Sequence, residues 1–88
     1  MCRNIRPLFN FEPPVTEGEV RNAALQFVRK ISGATKPSKA NEAAFEAAVT
    51  EVTESCQRLL RSMVTTAPPK DRETEALKAK ERAMRRFA

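Results

Sequence analysis

Between Phe45 and Met63 the apolar residues fall at Phe45, Val49, Val52, Cys56, Leu59 and Met63, in steps of four, three, four, three and four. Such spacing fits one face of an α-helix and is incompatible with the two-residue alternation of a strand. Ala48 and Leu60 widen the seam into a stripe broad enough for a globular core. The seam predicts a long helix over 39–64. Glu42, Glu46, Glu51 and Glu54 load its first half, and Arg58 and Arg61 its end, both in the sense that favours the helix dipole. Ser38 and Asn41 are candidate caps.

A second helix is marked upstream. Thr16 and Glu19 form a capping-box pattern, with Val15 and Val20 placed as a hydrophobic staple. Val20, Ala23, Ala24, Phe27, Val28 and Ile31 then recur on one helical face, and Gly33 supplies a left-handed stop. The expected helix spans 16–32. The intervening GATKPSK is a short basic linker, so the two helices are expected to form an antiparallel hairpin. After TTAPPK, whose paired prolines make a stiff elbow, Asp71 is a plausible cap for a third helix over 71–87. That helix has a thin apolar stripe, Ala76, Leu77, Ala83, Met84 and Phe87, among many Lys and Arg, and is expected to be the least firmly docked.

Residues 1–14 show no helical period. Prolines at 7, 13 and 14 bracket Leu8, Phe9, Asn10 and Phe11, which reads as an extended arm laid across the helices. Burying those three apolar side chains is worth about 1.5–3 kcal/mol each. The expectation is one all-α domain over residues 1–88: three helices, with the extended N-terminal arm packed on the helical hairpin. Length bounds this reading, because 88 residues build one thin core and not two. No stretch approaches the roughly 20 apolar residues of a membrane span. The opening MCRNIRPLFN has no secretory apolar run, so a cytoplasmic protein with reduced thiols is expected.

The chain contains no His, Trp or Tyr and only two Gly. The commonest general base and metal ligand are missing, and no glycine-rich phosphate loop can form. No metal site and no cofactor is specified. The one-turn carboxylate pairs Glu42–Glu46 and Glu51–Glu54 lack partners from another helix and read as a solvated acidic face. Cys56 continues the apolar seam and reads as a small buried hydrophobe. Cys2 is a candidate reactive thiol, since Arg3 and Arg6 nearby would favour its thiolate. With no His to serve as base, a Cys–His mechanism is excluded.

The net charge of +5 raises the case for an anionic partner. Residues 41–64 carry four Glu against Arg58 and Arg61, so the positive excess lies on the arm, the linker and the last helix. Arg3, Arg6, Lys36, Ser38 and Lys39 form the candidate anion site, the last three at the start of the long helix. The linker is too long for a tight helix-turn-helix, and no aromatic residues interleave the basic ones as in a single-strand binder.

Two strings, MCRNIRPLFNFEPP and ALQFVRKISGATKPSKANEAAFEAAV, with TTAPPKDRE after the long helix, resemble a family of short uncharacterised bacterial proteins, a domain of unknown function. Cys2, Arg3, Asn4, Leu8–Pro14, Arg29, Lys30, Gly33, Lys36, Pro37, Asn41 and Phe45 carry the resemblance. It implies a small stand-alone protein and no particular activity. Three functional readings follow, in order. The first is a non-catalytic helical interaction protein, with a homodimer expected through Leu59, Leu60 and Met63, because the first helix is too short to cover the whole seam. The second is a binder of nucleic acid or another anion through the basic residues of the arm, the linker and the last helix, Arg82, Arg85 and Arg86 included. The third is a thiol-dependent activity at Cys2.

Overall fold

The computed structural model describes residues 5–87, and Arg3 and Cys2 lie outside that range. The order of elements is a two-residue strand β1 (Phe11–Glu12), α1 (Glu17–Ser32), a 3-10 turn (Lys39–Asn41), α2 (Glu42–Ser62), strand β2 (Lys70–Asp71) and α3 (Arg72–Phe87). The fold is a small all-α domain whose only sheet among the described residues is the parallel pair β1–β2.

The start of α1 follows from its sequence. The Thr16 hydroxyl accepts from the Glu19 N–H at 3.2 Å, and the Glu19 carboxylate accepts from the Thr16 N–H at 3.0 Å. Both orphan donors of the first turn are satisfied by one residue pair. At the other end Gly33 adopts φ 72° and its N–H donates to the Arg29 carbonyl at 2.9 Å. A side chain at that backbone conformation would be strained, which is why glycine closes the helix. Arg29 Nε then donates to the Thr35 carbonyl at 3.0 Å and folds the linker back toward α1.

α2 begins three residues later than the seam implies. Lys39–Asn41 form a 3-10 turn, and neither Ser38 nor Asn41 caps with its side chain. Instead the Asn41 amide donates to the Ser38 hydroxyl at 2.9 Å, which uses both candidate caps on each other. The helix ends at Ser62 because Met63 is already extended, with φ −70° and ψ 141°.

α1 packs on α2 to form the hairpin. Among the described residues the buried apolar side chains are Val20, Ala24 and Val28 on α1 and Val49 on α2. Thr53 is buried with them, and its hydroxyl donates to the Val49 carbonyl at 2.6 Å, leaving no polar atom unpaired. Both buried lines, 20–24–28 and 49–53, step by four. Helices that meet on four-residue ridges favour a crossing of about 50°, steeper than the roughly 20° of a coiled coil. The heptad seam is therefore not used as a seam. Burial on α2 follows Val49 and then Thr53, leaving the seam after Val49. Phe45, Val52, Cys56 and Leu60 are half-buried, whereas Leu59 is 56% and Met63 42% exposed. On α1, Phe27 is 44% and Ile31 67% exposed. Arg21 and Glu46 pair across the hairpin at 2.8 Å, but both are exposed, so the pair adds at most about 1 kcal/mol.

The molecule measures 44 × 38 × 17 Å. It is a single layer of helices, and among the described residues no helix is long and apolar enough to cross a membrane.

Candidate functional site

The arm reaches its position through one residue. Asn10 takes φ 62°, a left-handed conformation that asparagine tolerates better than most residues. The resulting bend aims its side chain at the elbow after α2. Asn10 Nδ2 lies 3.3 Å from the Ala67 carbonyl and 3.2 Å from the Pro68 carbonyl and donates to both. The Asn10 carbonyl in turn accepts from the Lys70 N–H at 2.8 Å. Pairing then continues in parallel register, Phe11 beside Lys70 and Glu12 beside Asp71. The Lys70 ammonium rests 5.6 Å from the centre of the Phe11 ring, a cation–π contact. The Glu12–Pro13 peptide bond is cis. Arm and elbow are thus fastened to each other.

α3 starts from this junction. Asp71 caps it, accepting from the Thr74 hydroxyl at 2.6 Å and the Thr74 N–H at 3.3 Å. The Thr74 hydroxyl, opposed by partial burial and supported by the N–H groups of Thr74 and Glu73, holds the Asp71 carboxyl below its ordinary value. Arg72, the first residue of α3, makes a direct ion pair with Glu19. Glu19 therefore has two duties. One oxygen closes the capping box of α1 and the other receives α3. The Thr16 N–H, opposed by partial desolvation and helped by the Arg72 hydrogen bond and charge, keeps the Glu19 carboxyl below its ordinary value.

The arm, the start of α1, the elbow and α3 enclose an open cleft of about 440 Å³. Leu8, Phe11, Val15, Ala76 and Ala79 give it an apolar lining. Arg6, Lys70, Arg72 and Arg82 bring four cations to it, against the carboxylates of Glu19 and Glu75. Glu19 is taken by Arg72, and Glu75 lies 3.7 Å from Lys78. Among the described residues, Arg6, Lys70 and Arg82 have no carboxylate within ion-pair distance. A volume of this size suits a small ligand.

Of the residues singled out in sequence, Arg6 lines the cleft. Lys36, Ser38 and Lys39 do not; they lie at the linker and the 3-10 turn, where Lys36 and Lys39 are exposed and the Ser38 hydroxyl serves Asn41. Arg3 and Cys2 fall outside the described residues. Cys56 is a half-buried free thiol. No cluster of three or more metal-ligating side chains occurs among the described residues. Arg82, one of the basic residues of the last helix, also lines the cleft, whereas Lys70, Arg72 and the second role of Glu19 are not marked in the sequence. One signal was present: both short extended stretches adjoin prolines, which a sheet tolerates at its edges and strand starts.

The family model described as an uncharacterized conserved protein, DUF2277, matches residues 1–78. The chain belongs to this family. The match takes in the arm, the hairpin, the elbow and the first half of α3, including three of the four cleft cations. No specific activity attaches to the family, and neither a curated protein nor a solved structure matches the chain.

Proposed function

We propose that this is a non-catalytic helical interaction protein of the bacterial cytoplasm, and that its working form is a homodimer. The observation that carries the reading is surface area. A compact monomer of 9.9 kDa exposes about 5,200 Å². This chain exposes 7170 Å². The surplus of about 2,000 Å² exceeds the roughly 800 Å² each partner contributes to a standard interface. The radius of gyration agrees, 15.5 Å where a compact chain of this length has about 12 Å. A one-layer protein needs a second layer to cover its apolar face.

Uncovered side chains lie on both helices of the hairpin, Phe27 and Ile31 on α1, Leu59 on α2 and Met63 just beyond it, and further ones follow at Val64 and, on α3, at Leu77 and Met84. A second copy fits this surface for a reason of charge. α2 carries four Glu against two Arg, while α3 carries six basic residues against three Glu. Each copy thus offers an acidic helix to the basic helix of the other, and the +5 of the chain is partly answered within the pair.

Dimerisation stabilises the fold by mass action, so the thermal midpoint should rise with protein concentration. In the variant Leu59→Glu the midpoint should stop depending on concentration while helical content is kept. A wild-type midpoint that stays constant over a hundredfold range of concentration would remove the reading.

A further inference from the structure

We propose that the cleft between the arm and α3 binds a small phosphomonoester with a compact apolar body. The inference stands apart from dimerisation, because none of the bare hairpin residues Phe27, Ile31, Leu59 and Met63 lines the cleft.

Three features of the cleft select this chemistry together. The first is charge. Four cations face two carboxylates, a surplus of two, which matches the nearly dianionic head of a phosphomonoester at neutral pH. The second is the kind of cation. Two of the three without a carboxylate partner are arginines, Arg6 from the arm and Arg82 from α3, on different walls. Planar guanidinium forks suit the several acceptor oxygens of a phosphate, and two of them on separate elements would hold it from both sides. The third is the lining. Leu8, Phe11 and Val15 on one side and Ala76 and Ala79 on the other form an apolar wall that a bare inorganic ion would leave uncovered. The small alanines on α3 leave room where larger residues would fill the space.

The remaining cations have other work. Arg72 is engaged by Glu19, and Lys70 stands over the Phe11 ring. They raise the potential of the cleft and preserve its shape. A polynucleotide is disfavoured as occupant, since a cleft of about 440 Å³ with one aromatic ring gives no row of stacking platforms.

Phenyl phosphate is a suitable probe. Titrated into labelled full-length protein and followed by amide chemical shifts, it should perturb Leu8, Phe11, Lys70 and Ala79. It should bind about tenfold more tightly than inorganic phosphate, the worth of covering a small apolar surface. Arg6→Gln and Arg82→Gln should each weaken it about tenfold, with helical circular dichroism unchanged as the check on folding. Binding should also weaken as salt rises. Four results would overturn the proposal: no perturbation of the cleft, equal affinity for inorganic phosphate, equal affinity for phenylacetate, or a single-stranded oligonucleotide binding the cleft more tightly than phenyl phosphate. A protein that stays monomeric and still binds phenyl phosphate would end the dimer reading and leave this one intact.

Discussion

The hairpin and the arm–elbow–α3 unit are held by different forces. The hairpin is joined by buried apolar contact along Val20, Ala24, Val28, Val49 and the self-satisfied Thr53. The other unit is joined by directed polar bonds: the Asn10 amide on two carbonyls, a two-residue parallel pairing, and Glu19 to Arg72. Apolar burial is non-directional and indifferent to pH, whereas the polar pins need geometry and charge. The chain therefore places its stability in one region and its adjustable parts in the other. The cleft lies in the adjustable region, and loops and arms that bind ligands commonly belong to the less stable part of a fold.

The contrast can be broken at its strong side first. Val49→Ala should lower stability by about 2–3 kcal/mol, by lost burial and the small void left behind. A marginal 88-residue domain would lose a large fraction of its total. Urea unfolding followed by helical circular dichroism measures it, and the loss should reach α1 and α2 together. A change under about 0.5 kcal/mol would mean that the core lies elsewhere.

Asn10→Ala should act more weakly and in a different place. It removes both amide bonds to the elbow and puts a residue less tolerant of φ 62° at the bend. A cost of about 1–2 kcal/mol is expected for arm opening. Hydrogen exchange at the Lys70 amide, which bonds the Asn10 carbonyl, should speed up, while amides of α1 and α2 keep their protection. Equal acceleration in the hairpin would erase the distinction between the two regions.

Acid should produce the smallest effect and the most local one. Glu19 and Asp71 both ionise below their ordinary values, so their contribution is present above those values and is lost as pH falls through them toward the folded ones. For Glu19 the loss begins near 4.5 and for Asp71 near 3.8. α3 and the arm should loosen in that window before the hairpin does, and Glu19→Gln should remove most of the Glu19 share. Chemical shifts of α3 followed against pH test this. A single transition shared by all three helices would contradict it.

The same contrast explains what was legible in the sequence. The capping box, the Gly33 stop and the three helices are local, and local patterns encode them. The hairpin followed from a short linker between two apolar stripes. The direction of the buried face did not, because an a/d seam and a four-residue ridge share Phe45 and Val49 and separate only further along, at Val52 against Thr53. In the candidate site Arg6 and the C-terminal Arg82 are legible as anion contacts. Lys70 and Arg72 join them through contacts spanning more than fifty residues, set by the positive φ of Asn10 and by a second use of Glu19. Neither leaves a periodic trace. Lys36, Ser38 and Lys39 looked suitable because they precede a helix, yet the 3-10 turn and the Asn41–Ser38 bond stand where a free helix start was expected.

In the proposed dimer, one copy of this chain leaves its hairpin half-covered and a second copy completes it. Light scattering on the eluting full-length protein tests that most directly. A mass of twice 9.9 kDa is expected, returning to a single chain in a protein carrying both Ile31→Glu and Leu59→Glu with its helical content intact. A wild-type protein that elutes at the mass of one chain at high concentration would contradict it.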